Sequence, residues 1–248
     1  MYLRTLIFTV LWTAHSFAAD ERIFELRTYY AAEGKLELLN ARFRDHTTDL
    51  FVKHNIENIA YWVPENNENN MLIYLLAYPD SEARKESFSS FLADPQWKAV
   101  KSESEIDGKL VSKIDSIVMQ LTDYSPAIPK ALADDDSIVE LRTYTTRPAK
   151  LENINARFQD HTIALFEKHG ITNIAYFNLT GDQSGADNTL VYLVAHKDTQ
   201  SRGVNFKSFS QDPAWKKAAK ESQIDGRILV NKGIDSVLMK ATDYSPLK

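Results

Sequence analysis

The chain has 248 residues, 29 of them basic and 34 acidic, which gives a formal net charge of −5, and it has no cysteine. This length suits two modest domains. The absence of cysteine excludes disulfides, thiolate metal sites and a thiol nucleophile. The acidic balance, with no block of Lys or Arg, argues against nucleic acid as a partner.

The first residues have the pattern of a secretory signal peptide. Arg4 precedes the apolar run Leu6–Trp12, which is too short to span a bilayer as a helix. Ser16 and Ala18 then place small residues at the −3 and −1 positions of a cleavage site. We therefore expect residues 1–19 to be removed and the mature protein to be periplasmic or secreted, with mitochondrial import as the alternative. No later stretch is apolar and long enough to predict a transmembrane segment.

The remaining sequence is duplicated. Asn40–Thr47 returns as Asn155–Thr162, at an offset of 155 − 40 = 115 residues. The similarity extends around this block and divides the chain into a first domain, 20–125, and a second domain, 138–248. The segment between them, 126–137, contains Pro126, Pro129 and an acidic run, which predicts a linker.

The first half predicts the element order βαββαβ. Residues 23–30 alternate between apolar and polar side chains and are rich in aromatics, as in a half-buried strand. The following helix, over 35–54, carries an apolar stripe at spacings of three and four. The remaining elements are two strands, an interrupted helix and a last strand, over 56–63, 71–78, 81–104 and 114–121. The second half repeats this order, so each half predicts a ferredoxin-like unit.

A short motif interrupts the later helix of each half. Asp94-Pro95-Gln96-Trp97 returns as Asp212-Pro213-Ala214-Trp215. Asp is a favoured N-cap and Pro is favoured at the first helical position, so a new helix begins at each Pro. Both Trp side chains then fall in a first turn, where we expect them to anchor packing.

Together these motifs resemble the NIPSNAP domain. The resemblance rests on the Glu-Leu-Arg-Thr-Tyr strand, the Lys35 entry into the first helix, the His46-x₇-His54 helix end and the Asp-Pro-x-Trp element. It covers about residues 23–124 and again 138–244. The resemblance implies an α+β fold in which two ferredoxin-like units form one dimeric α/β barrel within the chain. It implies no particular activity, and we expect no cofactor.

The first strand supplies the main candidate site. Glu25, Arg27 and Tyr29 share one face, and Phe24 and Leu26 share the other. We expect the apolar face to pack on the helices and the polar face to look into the barrel. There the charges form either an internal salt bridge that fixes the pairing of the halves or the polar end of a ligand cavity. The candidate ligand-binding residues are Glu25, Arg27, Tyr29, Trp62, Tyr74, Glu140, Arg142, Tyr144, Phe177 and Tyr192.

The first helix of each half supplies secondary candidates. Arg42 and His46 are four residues apart and predicted to share one helical face, as are Arg157 and His161. Such a cluster could orient a general base, and the alternative is a solvated polar face. His46 and His54 are eight residues apart, which corresponds to about 12 Å along a helix. They therefore cannot share one ion, and we expect no metal site.

These observations leave three functions open. The first is an exported protein that binds a small molecule or a protein partner through the barrel. The second is a cofactor-independent, oxygenase-like enzyme acting on a small molecule. The third is a structural interaction module. A deep, ligand-sized cavity with Arg27 at its base would separate the first two from the third. Loss of turnover in Arg27→Ala or His46→Ala would favour the second.

Overall fold

In a computed structural model, the described residues are 22–134 and 136–248, so the predicted signal peptide lies outside them. The strands are β1 (Ile23–Ala31), β2 (Glu57–Pro64), β3 (Met71–Tyr78), β4 (Val111–Leu121), β5 (Ile138–Thr146), β6 (Thr172–Leu179), β7 (Thr189–His196) and β8 (Leu229–Ala241). The helices are α1 (Leu36–Arg42), α2 (Thr48–Lys53), α3 (Ser81–Ala93), α4 (Pro95–Ser104), α5 (Leu151–Arg157), α6 (Ile163–Lys168), α7 (Thr199–Gln211) and α8 (Pro213–Glu221). No helix of this described part is long and apolar enough to cross a membrane.

The strands form a closed antiparallel barrel to which both halves contribute. Its order is β1-β3-β2-β8-β5-β7-β6-β4. The first half supplies β4-β1-β3-β2, and the second half supplies the same order from β8 to β6. Two seams join the halves: β2 pairs with β8 through Trp62 and Ala241, and β4 pairs with β6 through Met119 and Leu179. The predicted ferredoxin-like units and their barrel within one chain are confirmed.

The barrel interior is filled with apolar side chains from both halves. Phe24 of the first half lies 5.3 Å from Phe177 of the second, measured between ring centroids. Leu26, Trp62 and Met119 are buried in the same cluster. Trp62 and Phe177, two of the predicted ligand-binding residues, are therefore core residues of the barrel.

The polar face of β1 points the other way, toward the helices. Glu25 accepts hydrogen bonds from Arg84 of α3, and the guanidinium of Arg27 lies over the ring of Phe88 in the same helix. In the second half Glu140 and Arg142 make the corresponding contacts to α7.

The prediction that Glu25, Arg27, Tyr29, Glu140, Arg142 and Tyr144 look into the barrel is thus wrong. Inside a closed barrel a charge meets only the other strands, and burial without a partner is costly. On the outer face of the sheet, a helix packed against the strand can supply an arginine that pairs with the carboxylate.

The predicted helix over 35–54 contains a π-helical turn, Phe43–Thr47, between α1 and α2. The Thr47 hydroxyl donates to the Arg42 carbonyl at 3.1 Å, five residues back. The wider turn aligns Arg42 with Thr47 instead of His46. Arg42 is buried whereas His46 is exposed, so the prediction that they share a face is wrong. The turn Phe158–Thr162 separates Arg157 from the exposed His161 in the same way.

Candidate functional site

Each half has a partly open cavity between the outer face of its sheet and its later pair of helices. The first cavity, against α3 and α4, has a volume of about 500 Å³. The second cavity, against α7 and α8, has a volume of about 300 Å³. Aromatic side chains line the first: Tyr29, Phe43, Phe51, Phe88, Phe91 and Trp97. Their counterparts line the second: Tyr144, Phe158, Phe166, Phe206, Phe209 and Trp215.

The Asp-Pro-x-Trp motif places a tryptophan in each wall. Asp94 caps α4 by accepting a hydrogen bond from the backbone N–H of Gln96 at 2.7 Å. Trp97 then packs on Phe91 with ring centroids 4.5 Å apart. In the second half Asp212 caps α8, and Trp215 packs on Phe209 at the same 4.5 Å. The prediction that the motif starts a new helix is confirmed in both halves.

The same aspartate joins two elements. Its Oδ2 lies 2.7 Å from Lys53 Nζ and 2.6 Å from His54 Nε2, at the end of α2. Hydrogen bonds from Lys53, His54 and the Gln96 backbone hold the pKa of Asp94 well below its usual range. Asp212 is held in the same way by Lys168 and His169. These histidines therefore brace the helices beside the cavities and do not line them.

An arginine forms the floor of the first cavity. Arg27 donates to Glu25 at 2.6 Å and to the Tyr74 hydroxyl at 3.1 Å, and its guanidinium lies 4.5 Å from the centroid of Phe88. Glu25 also accepts from Arg84 at 2.8 and 2.9 Å. Burial raises the pKa of Glu25, but the bonds from Arg84 and the charge of Arg27 outweigh it and lower the pKa overall. The carboxylate is ionised and fully engaged by the protein.

The second cavity has the same floor with one replacement. Arg142 pairs with Glu140, and Glu140 also accepts from Arg202 at 2.8 and 3.0 Å. His196 lies 3.0 Å from Glu140, in the place that Tyr78 takes in the first half. Burial raises the pKa of Glu140, and the bonds from His196 and Arg202 more than reverse this and keep it well below its usual range.

Two tyrosines complete these floors. Tyr74 and Tyr192 are fully buried, and each hydroxyl accepts a hydrogen bond from its arginine. Burial raises the pKa of both phenols well above the ordinary value. They therefore stay neutral and cannot serve as general bases.

A second arginine stands beside each tryptophan. Arg42 lies 5.3 Å from the ring of Trp97 and pairs with Glu105 at 3.0 Å. Arg157 lies 5.2 Å from the ring of Trp215 and donates a hydrogen bond to the Ser222 hydroxyl at 3.5 Å. Burial lowers the pKa of Arg157, although a guanidinium remains charged in proteins.

The sequence profile of the NIPSNAP family matches residues 24–126 and, a second time, residues 139–246. The chain belongs to the NIPSNAP family. Its two copies are tandem NIPSNAP domains, and each contains one of the cavities. No curated protein matches the chain.

Solved structures share the architecture of this NIPSNAP protein. A candidate monooxygenase from Lactobacillus acidophilus is 11% identical, with 90% of this chain and 94% of that chain covered and a TM-score of 0.57. An anthrone oxidase-like protein is 11% identical over 90% of this chain and 92% of its own, with a TM-score of 0.56. An uncharacterized NIPSNAP-like domain protein from Burkholderia xenovorans is 20% identical over 45% of this chain and 94% of its own, with a TM-score of 0.40. At 11% identity the likeness to the first two structures shows the fold alone.

The structure brings most of the candidate residues of this NIPSNAP protein to the two cavities. Arg27, Tyr29 and Arg42 line the first, and Arg142 and Tyr144 line the second. Directly behind these walls lie Glu25, Tyr74, Glu140, Tyr192 and Arg157. The others lie elsewhere: Trp62 and Phe177 in the barrel core, His46 and His161 on the surface.

Sequence reasoning missed the helix-borne residues of these NIPSNAP cavities. Phe88 and Arg84 of α3 complete the first site, as Phe206 and Arg202 of α7 complete the second. The same residue types occur at these positions in both copies, and this repetition could have identified them from the sequence. Among the described residues no group of His, Asp or Glu side chains is arranged to hold a metal ion.

Proposed function

We propose that this protein binds a small, planar aromatic molecule in its sheet–helix cavities. The observation that carries the proposal is the lining of each cavity by six aromatic side chains above an arginine floor, repeated in both halves. Volumes of about 500 and 300 Å³ fall in the range of small-molecule sites. Aromatic walls favour a flat ligand, because offset or edge-to-face ring contacts add to the free energy of burying apolar area.

The lining favours binding over acid–base catalysis. The second cavity is lined by aromatic residues, two arginines, Thr162 and Ser210, and by neither a carboxylate nor an imidazole. The nearby carboxylate, Glu140, is occupied by Arg142 and Arg202. We therefore propose a binding protein, and we propose that it acts outside the cytoplasm on the strength of the signal-peptide pattern.

Tryptophan fluorescence offers a test that distinguishes the cavities. Trp97 reports on the first cavity, Trp215 on the second, and Trp62 is a background in the barrel core. Nitroaromatic compounds quench tryptophan on contact, so the purified protein would be titrated with 4-nitrobenzoate and with its neutral amide, 4-nitrobenzamide. Trp97→Phe leaves the second reporter, and Trp215→Phe leaves the first.

We expect saturable quenching in at least one of these two variants. A variant with both tryptophans replaced is the matched control, because Trp62 remains and should not respond. If neither compound gave saturable quenching with any cavity tryptophan present, the proposed function would be wrong.

A further inference from the structure

The two cavities differ in the charge opposite their second arginine. In the first half, Ser104-Glu105 follows Trp97 by seven and eight residues, and Glu105 pairs with Arg42 at 3.0 Å. The same positions after Trp215 are Ser222-Gln223. Gln223 donates its side-chain N–H to the Ala219 carbonyl at 2.8 Å, within its own helical segment, and makes no hydrogen bond to Arg157.

Within the described part of the chain, Arg157 is consequently a buried cation without an anion. It is 7% exposed, its bond to Ser222 is long at 3.5 Å, and its Nε, like that of Arg42 in the first half, has no hydrogen-bond partner among the described residues. No carboxylate among residues 22–134 and 136–248 pairs with it. A buried charge that lacks a counter-charge is costly for the fold. An anion brought by a ligand would remove that cost.

The other arginines at the second cavity are already occupied. Arg142 and Arg202 both pair with Glu140. Arg157 stands behind the wall of this cavity, beside Trp215, and is the nearby arginine that still lacks a carboxylate. Arg157 lies against Trp215, which lines the cavity, so a ring packed on that wall can hold an acidic substituent near the guanidinium.

The first half shows which acidic group fits. There the protein's own carboxylate, Glu105, occupies the equivalent position against Arg42. A guanidinium and a carboxylate are planar groups that can form two parallel hydrogen bonds. Glu105 thus serves as an internal template for the anion that the second half lacks.

We infer that the second cavity binds a small aromatic carboxylate, with its carboxylate on Arg157 and its ring against Trp215. In the first cavity Glu105 already neutralises Arg42, so an acidic ligand there lacks this contact and meets only the lysines of the lining, Lys101, Lys109 and Lys113. The inference rests on the proposed binding function and adds the ligand class and the arginine that holds its acidic group. It also identifies residues 105 and 223 as the position that decides whether this arginine is free for a ligand.

The test is a reciprocal exchange at these two positions. In Trp97→Phe protein, which reports the second cavity, 4-nitrobenzoate should bind at least about tenfold more tightly than 4-nitrobenzamide, since bonds to a charged group are the strong ones. Adding Gln223→Glu should remove this preference by placing a carboxylate on Arg157. In Trp215→Phe protein, adding Glu105→Gln should raise the preference for the acid in the first cavity, because Arg42 then lacks its carboxylate.

The outcomes separate the two proposals. Equal binding of acid and amide to the second cavity, or an unchanged preference in Gln223→Glu, would overturn the inference and leave aromatic binding standing. Binding of neither compound would overturn both. Should Gln223→Glu fold poorly, Glu105→Gln carries the test from the other side, and failure to raise the preference there would count against the inference. Circular dichroism of each variant verifies the fold.

Discussion

Replacing Glu25 by glutamine tests the ion network under the first cavity. Glu25 has 0% exposure and accepts hydrogen bonds from Arg27, Arg84, Ser116 and Tyr78. Glutamine keeps the shape of the side chain but removes its charge and turns an N–H donor toward guanidinium donors. Breaking a buried pair in this way leaves charge uncompensated, so the free energy of unfolding should fall by about 3–5 kcal/mol.

Removing one cation should cost less than removing the shared carboxylate. Arg84→Ala leaves Glu25 with Arg27 and Ser116, and the Arg84 side chain is 28% exposed, so solvent screens part of its interaction. We expect a loss of about 1–3 kcal/mol for this variant. Glu86→Gln, on an exposed position of the same helix, is the matched control and should stay within about 0.5 kcal/mol of the parent.

Urea titrations followed by far-ultraviolet circular dichroism measure these differences. At an unchanged slope, the shift in midpoint gives the change in unfolding free energy. If Glu25→Gln lost less stability than Arg84→Ala, Glu25 would not be the centre of the network. If it behaved like Glu86→Gln, the assignment of Glu25 to a buried ion network would be refuted.

Three further predictions follow from the fold, the carboxylates and the N-terminal sequence. Four carboxylates have folded-state pKa values below the ordinary 3.8 of Asp and 4.5 of Glu: Asp94, Asp212, Glu25 and Glu140. Their contribution to stability is present above those ordinary values and is lost as the pH falls through the folded-state values. The urea midpoint should therefore decline below about pH 4.5, and it should decline less steeply in Asp94→Asn. A fragment of residues 20–126 lacks the partners of β2 and β4 at both seams and should be a dimer or insoluble in light-scattering chromatography, whereas a stable monomer would contradict the pairing. Protein purified from its native host should begin near Ala19 or Asp20 by intact mass, and retention of Met1 would count against export.

The order and type of elements could be predicted because both halves carry the same patterns. Strand alternation and turn positions agree between copies, and Asn55 and Gly170 end the first helices with φ values of 58° and 73°. Positive φ is tolerated best by these two residue types. Where the two copies differ in sequence but keep one pattern, the shared pattern marks what the fold requires.

The side on which β1 presents its charges could not be predicted from alternation. Both faces of this strand are buried, one against the opposite sheet and one against helices. Alternation places Phe24 and Leu26 on one face and Glu25 and Arg27 on the other. It does not say which face packs on the opposite sheet and which packs on the helices. The deciding information is a partner on α3, Arg84, which lies 59 residues from Glu25 in sequence.

The π-helical turns were hidden for a different reason. The apolar positions Leu36, Leu39, Phe43, Thr47 and Leu50 fit an unbroken α-helix at spacings of three and four. A π-helical turn contains about one residue more than an α-helical turn, and this insertion leaves the apolar stripe nearly intact. It nevertheless moves His46 to the surface and turns Arg42 toward Trp97. Periodicity therefore predicts the facing of the polar residues beside an apolar stripe less well than that of the apolar residues themselves.

Joining two domains in one chain allows the two cavities to differ. In a dimer of identical chains, a change of the residue opposite the second arginine would alter both cavities at once. Here Glu105 and Gln223 can differ, as can Tyr78 and His196, while the barrel seams and aromatic walls stay matched. The fold requires both halves to close the barrel, whereas the proposed ligand would require one cavity. A first half in which Glu105 pairs with Arg42 and a second half in which Arg157 lacks a carboxylate are therefore compatible with one stable structure.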